Sequence, residues 1–171
     1  MVEGDGVPVG REDLEQVFRS AYPHVVAVAA RVLGARDEAE DIAQEVFLAF
    51  ARSSVPAGEA PGWLSVAAAH TALNHLRSSR RRASREERAE QATQEEDVAD
   101  TIVRRDERRR VRVALARLPR RQAVALVLRH SGLSYAEIAA ALELSPGSVG
   151  TTVRRAESAL REELNRHASS G

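Results

Sequence analysis

Apolar positions recur at steps of three and four residues along most of the chain, and strict alternation never persists. That pattern predicts helices and no strands. Leu14, Val17 and Phe18 share one face of a helix over 11–21. Pro23 lacks a backbone donor, so it is expected to start a second helix, roughly 23–33, ended by Gly34. A third helix begins near Asp37, with Asp37 and Glu40 spaced as a capping box. Ala39, Ile42, Ala43, Val46, Phe47 and Phe50 then form a single apolar stripe. Residues 53–62, SSVPAGEAPG, read as a loop, and Trp63 opens a fourth helix that runs into SSRRR. Leu64, Ala67, Ala68, Thr71, Ala72 and Leu76 are its expected buried side.

From 83 to 101 the chain is polar and charged, which reads as a linker. Periodicity returns with Val111, Leu115 and Leu118, and Pro119 stops that helix. Another carries Val124, Val127 and Leu128 to about Ser131–Gly132. Ser134 and Glu137 form a capping box for a short helix with Tyr135, Ile138, Ala139 and Leu142 facing inward. Ser145 is an N-cap followed by Pro146 at the first helical position. Val149, Val153, Ala156, Leu160 and Leu164 continue the inner face. The expectation is an all-α protein of two small helical domains, 11–82 and 102–166, joined by the polar linker 83–101.

The 171 residues balance 25 basic against 25 acidic side chains, all of the basic ones arginine. The balance hides a segregation. Residues 1–76 carry 5 arginines against 11 acids, and residues 77–171 carry 20 against 14. Two surfaces with different partners fit this, one of them nucleic acid, and so do solvated helix faces that happen to segregate. The absence of cysteine excludes a disulfide framework, a thiolate metal site and a cysteine nucleophile. No apolar run approaches the ~20 residues of a membrane span, and the N-terminus is not a secretory signal. A soluble, cytoplasmic protein with no membrane insertion is therefore expected. The histidines His24, His70, His75, His130 and His167 lack ligand spacing, and no phosphate loop or nucleophile set appears. Neither catalysis, a metal nor a cofactor is expected.

Three patterns carry the functional reading. Residues 134–160 form a helix-turn-helix, whose second helix suits the DNA major groove. Its expected exposed positions are Ser148, Gly150, Thr151, Thr152, Arg154, Arg155 and Ser158. An αα-hairpin within a bundle would show the same capping. Glu38, Asp41 and Glu45 share one face of the third helix, flanked by Glu40 and Gln44. The helix dipole accounts for acids in the first turn but not for Glu45, two turns in. A docking face for a basic helix and a solvated face both remain open. Arg77, Arg80, Arg81, Arg82, Arg85 and Arg88 can neutralise phosphates, or close a helix C-terminus before a charged spacer.

In this order the motifs resemble an RNA polymerase sigma factor of the extracytoplasmic-function (ECF) group, sigma-70 superfamily. DEAEDIAQEVFLAF (37–50) resembles the family's core-polymerase-binding helix. GWLSVAAAHTALNHLRSSRRR (62–82) resembles its minus-10 helix, and 115–160 its minus-35 domain. The resemblance implies that Glu38, Asp41, Gln44 and Glu45 dock on the basic clamp helices of the polymerase's largest subunit. It implies minus-10 contacts from Trp63, His70, Asn74, Arg77, Arg80, Arg81 and Arg82, with loop 53–62 capturing a flipped base. It implies minus-35 contacts from Ser145, Ser148, Gly150, Thr151, Thr152, Arg154 and Arg155. An anti-sigma factor is an implied partner. Three departures stand out. His70 replaces a frequent Asn, Gly150–Thr151–Thr152 replaces a frequent Lys-Ser-Arg, and Glu143 stands where such turns often use Gly. Arg154 can offset the lost cations. Glu95, Glu96, Asp97 and Asp100 fit the family's acidic linker or a plain spacer. A helix-turn-helix regulator acting without the polymerase, and a helical adaptor without a DNA role, are the competing readings.

Overall fold

The computed structural model describes residues 10–86 and 99–170. Its seven α-helices are α1 (Arg11–Leu33), α2 (Arg36–Arg52), α3 (Ala60–Glu86), α4 (Ala99–Arg117), α5 (Arg120–His130), α6 (Tyr135–Leu142) and α7 (Pro146–Ala168). A single 3-10 turn, Ala57–Glu59, precedes α3, and no strand occurs among the described residues. The all-α expectation holds.

Helices α1, α2 and α3 pack mutually as one bundle, and α4, α5 and α6 pack around α7 as a second. The α2 stripe is buried as expected, from Ala39 to Phe50. Phe50 meets the Trp63 ring at 5.7 Å, tying α2 to the start of α3. The buried core is continuous across both bundles, because α3 also packs on α4, α5 and α6.

Helix α1 is one element, not two broken at Pro23. Pro23 lies on the exposed side, so the carbonyl it leaves without a partner can turn to water. Gly34 ends α1 in the left-handed conformation (φ 76°), its N–H donating to Ala30 O at 2.7 Å. The Asp37–Glu40 capping box does not form. Helix α2 starts one residue earlier, Ala35 is its uncapped N-cap, and Glu40 accepts from Arg36 at 3.2 Å. Asp37 stays in the first turn, where the dipole favours it.

Helix α3 starts at Ala60, three residues before Trp63. It buries Ser65, Ala69 and Leu73 beyond the expected positions, while Ala67 and Thr71 are half-buried. A helix covered from two sides has more than one buried stripe. Val111 and Tyr135, expected inside, are 42% and 38% exposed. Much of the linker, including Glu95, Glu96 and Asp97, lies outside the described residues, as do Arg88 and the side chains of Arg85 and Asp100.

Candidate nucleic-acid and partner interface

The acidic ridge stands on the outer face of α2. Glu38, Asp41, Gln44 and Glu45 are all exposed, opposite the stripe that anchors the helix. Only Glu45 has a cationic neighbour across the bundle, His75 at 3.9 Å. One turn on, Leu48 is 60% exposed. Phe18 is 42% exposed and packs edge-on against Phe47 at 5.0 Å, with Tyr22 beside both. The ridge is thus carboxylates and an amide next to apolar surface, a composition suited to an amphipathic basic helix. Leu48 escaped the sequence reading because it lies off the apolar stripe.

The helix-turn-helix is built by its caps. Ser134 Oγ accepts from Glu137 N at 3.1 Å and donates to Glu137 Oε1 at 3.0 Å. Glu143 ends α6 in the left-handed region (φ 54°, ψ 45°), and Leu144 N donates back to Ala139 O at 2.9 Å. Ser145 Oγ then accepts from Ser148 N at 3.3 Å and starts α7 with Pro146 in its first turn. Val149, Val153 and Ala156 seat α7 in the bundle. Ser145, Ser148, Arg154, Arg155 and Ser158 are exposed, and Thr151 and Thr152 are half-buried. Thr152 Oγ1 donates to Ser148 O at 2.8 Å.

Gly150 corrects the reading that placed it among the exposed positions. It is buried, and a Cβ there would lie 3.5 Å from the Tyr135 ring. Tyr135 packs over Gly150 on one side and under the Arg129 guanidinium, 4.7 Å from the ring centroid. The exposed tyrosine is therefore part of the joint between α6 and α7.

The arginine end of α3 is engaged differently. Arg77 donates from Nε to Ala116 O at 3.1 Å and from Nη2 to Leu118 O at 2.8 Å. Arg80 Nη1 donates to Val113 O at 3.3 Å. Arg120, at the start of α5, donates to His70 Nδ1 at 3.1 Å and to Asn74 Oδ1. Arginine carries no acceptor, so the His70 ring nitrogen must be unprotonated. Burial, then the charge of Arg120, hold the His70 pKa below its ordinary value. Burial, then Arg120 and Arg81, also lower that of Arg77. Arg81 and Arg82 are exposed. Trp63 is half-buried beside a cavity of about 860 Å³ between residues 55–65 and the helix-turn-helix, bordered by Gly58, Pro61, Leu133 and Ala141. Sequence reasoning missed Arg120, whose role depends on how the two bundles meet.

Residues 17–82 match sigma-70 region 2, and residues 108–160 match sigma-70 region 4. The chain is 32% identical to the RNA polymerase sigma factor CarQ of Myxococcus xanthus, over 91% of each chain. It is 31% identical to the ECF RNA polymerase sigma factor SigE of Mycolicibacterium smegmatis, covering 93% of this chain and 61% of that one. The chain belongs to the ECF group of the sigma-70 family. A solved structure of the sigma factor RpoE from Bartonella quintana, in complex with the anti-sigma factor NepR, shares the fold. The TM-score is 0.53 at 24% identity, over 90% of this chain and 98% of that one.

In this sigma-70 family member the acidic ridge, the loop before α3 and the arginine end of α3 all fall within the region 2 match, and the helix-turn-helix falls within region 4. Among the described residues no helix is long and apolar enough to cross a membrane, and no cluster of three His, Asp or Glu could hold a metal.

Proposed function

We propose that this chain is a promoter-specificity subunit, which joins core RNA polymerase and directs it to initiate at particular promoters. The observation that carries the reading is the order of the matches: a region 2 bundle presenting an exposed acidic ridge, then a region 4 bundle presenting a capped recognition helix.

In this reading residues 11–82 form the core-binding and minus-10 domain, 83–101 the linker and 102–166 the minus-35 domain. Glu38, Asp41, Gln44 and Glu45 dock on basic clamp helices of the largest polymerase subunit. Trp63, His70, Asn74, Arg77, Arg80, Arg81 and Arg82 hold the minus-10 strand. Loop 53–62 takes a base out of the stack, at a cost of a few kcal/mol regained in a fitted, charged site. Ser145, Ser148, Thr151, Thr152, Arg154 and Arg155 face the minus-35 element; Gly150 supports them from within the bundle. The exposed side of α7 offers hydroxyls and two guanidiniums, which suit phosphates and base edges. The chain catalyses nothing itself and works in the cytoplasm, where the polymerase is. A partner covering the ridge and the DNA-reading faces would be an anti-sigma factor. The RpoE relative is seen bound to one.

The test is capture of core polymerase on the immobilised chain, followed by transcription. The reading expects capture and factor-dependent transcripts. A protein that footprints a palindrome alone, and to which core adds nothing, would instead be a regulator independent of the polymerase.

A further inference from the structure

The side of α3 assigned above to the minus-10 strand is already occupied by the chain's own C-terminal half. Arg77 and Arg80 are spent on carbonyls of the α4 C-terminal end and the turn after it. The negative end of a helix dipole is a natural seat for such cations. His70 and Asn74 are spent on Arg120 from α5. On the opposite flank, Arg112 of α4 lies over Gly34, where a Cβ would come within 2.4 Å of its guanidinium. Gly62 at the start of α3 faces Ala141 of α6. The contacts run from the beginning of α3 to its arginine end.

We propose that these contacts form an intramolecular latch: in the free chain the C-terminal half covers the minus-10-reading side of α3, and it must swing away before that side meets DNA. The proposal rests on the reading of α3 given under Proposed function. The latch hides only one of the functional surfaces. Asp41 and Glu45 on α2, and Ser148 and Arg154 on α7, stay exposed. Docking on the polymerase can therefore come first and opening second, so that the chain reads the minus-10 strand only when attached to core.

The latch is also built to open. Arg77, Arg80, Arg81, Arg117 and Arg120 crowd a cleft of about 850 Å³ that no carboxylate lines. Hydrogen bonds close it while like charges push it apart. Salt screens the repulsion, so closure strengthens as ionic strength rises.

A disulfide trap tests this directly, because the chain has no cysteine of its own. A Cβ built on Gly62 lies 3.8 Å from Ala141 Cβ, the separation found in disulfides. The full-length Gly62→Cys/Ala141→Cys variant is oxidised with glutathione disulfide, alone and after mixing with core polymerase and promoter DNA. The expected result is a cross-link in most free molecules and at least a severalfold lower yield in the complex. The oxidised form still binds core through the exposed ridge, but its run-off transcript from a randomised promoter library falls and returns on reduction. Arg120→Ala is expected to lower the free-chain yield when combined with the cysteine pair. No cross-link in the free chain, an equal yield in the complex, or equal transcript from oxidised and reduced forms overturns the latch. If the reduced form binds core yet makes no transcript, the two cross-link yields decide. Failure of both redox forms and of the unmodified chain to bind core would instead sink the reading of the function, leaving the cross-link as evidence for the closed arrangement alone.

Discussion

Glu143 holds the left-handed conformation between α6 and α7, the only described non-glycine residue with positive φ. An L side chain there costs about 1 kcal/mol or more, and glycine adopts the same backbone freely. Because glycine also loses more entropy on folding, Glu143→Gly should stabilise the protein by up to about 1 kcal/mol, read as a higher urea midpoint. A lower midpoint would show that the Glu143 side chain contributes something its exposure does not suggest. His70 carries a second prediction. Its pKa is held below the ordinary value by burial and by Arg120, so the less structured state binds the proton more readily. Stability therefore rises with pH through this interval and is lost as pH falls below about 6.5. Between about pH 7.5 and about pH 5.5 the wild type should lose more melting temperature than His70→Asn, which removes the titration. Equal losses would place the proton elsewhere.

At the level of elements, α2 was fully legible in sequence and α3 was not. Helix α2 meets the core on one side, so its six buried residues keep one period and its acids fall on the opposite face. Helix α3 is covered by both bundles, and the burial of Ala69 and Leu73 comes from packing that no single-helix pattern encodes. The caps at Ser134 and Ser145 were legible because their hydrogen bonds span three residues. The Asp37–Glu40 box had the same spacing, yet α2 began a residue early and left it unmade. Of the candidate site, the ridge and the recognition helix could be placed from periodicity, whereas the engagement of Arg77 and Asn74 by residues about 40 positions away could not. Helix α2 gives the sharpest test of an element. Asp41→Arg with Glu45→Arg changes two exposed groups, so circular dichroism should stay native, while affinity for core drops by about tenfold or more, since like charges would face each other. Leu48→Ala should leave stability within about 0.5 kcal/mol and still weaken capture. Native affinity in both variants would move the docking surface off α2.

Across the whole molecule, charge and packing divide the work. The carboxylates of α2 and the arginines of α3 and α7 sit on separate surfaces, so one chain can hold a basic protein helix and anionic DNA at once. The core that joins the two bundles through α3 keeps them together in the free chain. The account's central claim is that this chain supplies promoter choice to a polymerase that lacks it, and the most direct measurement is run-off transcription by purified core on a randomised promoter library, with and without the chain. The account predicts transcripts only when the chain is present, from templates sharing two short elements at a fixed spacing, and their loss with Arg154→Glu and Arg155→Glu when a minus-35 element is required. Products that are the same with and without the chain, in number and in template sequence, would contradict it.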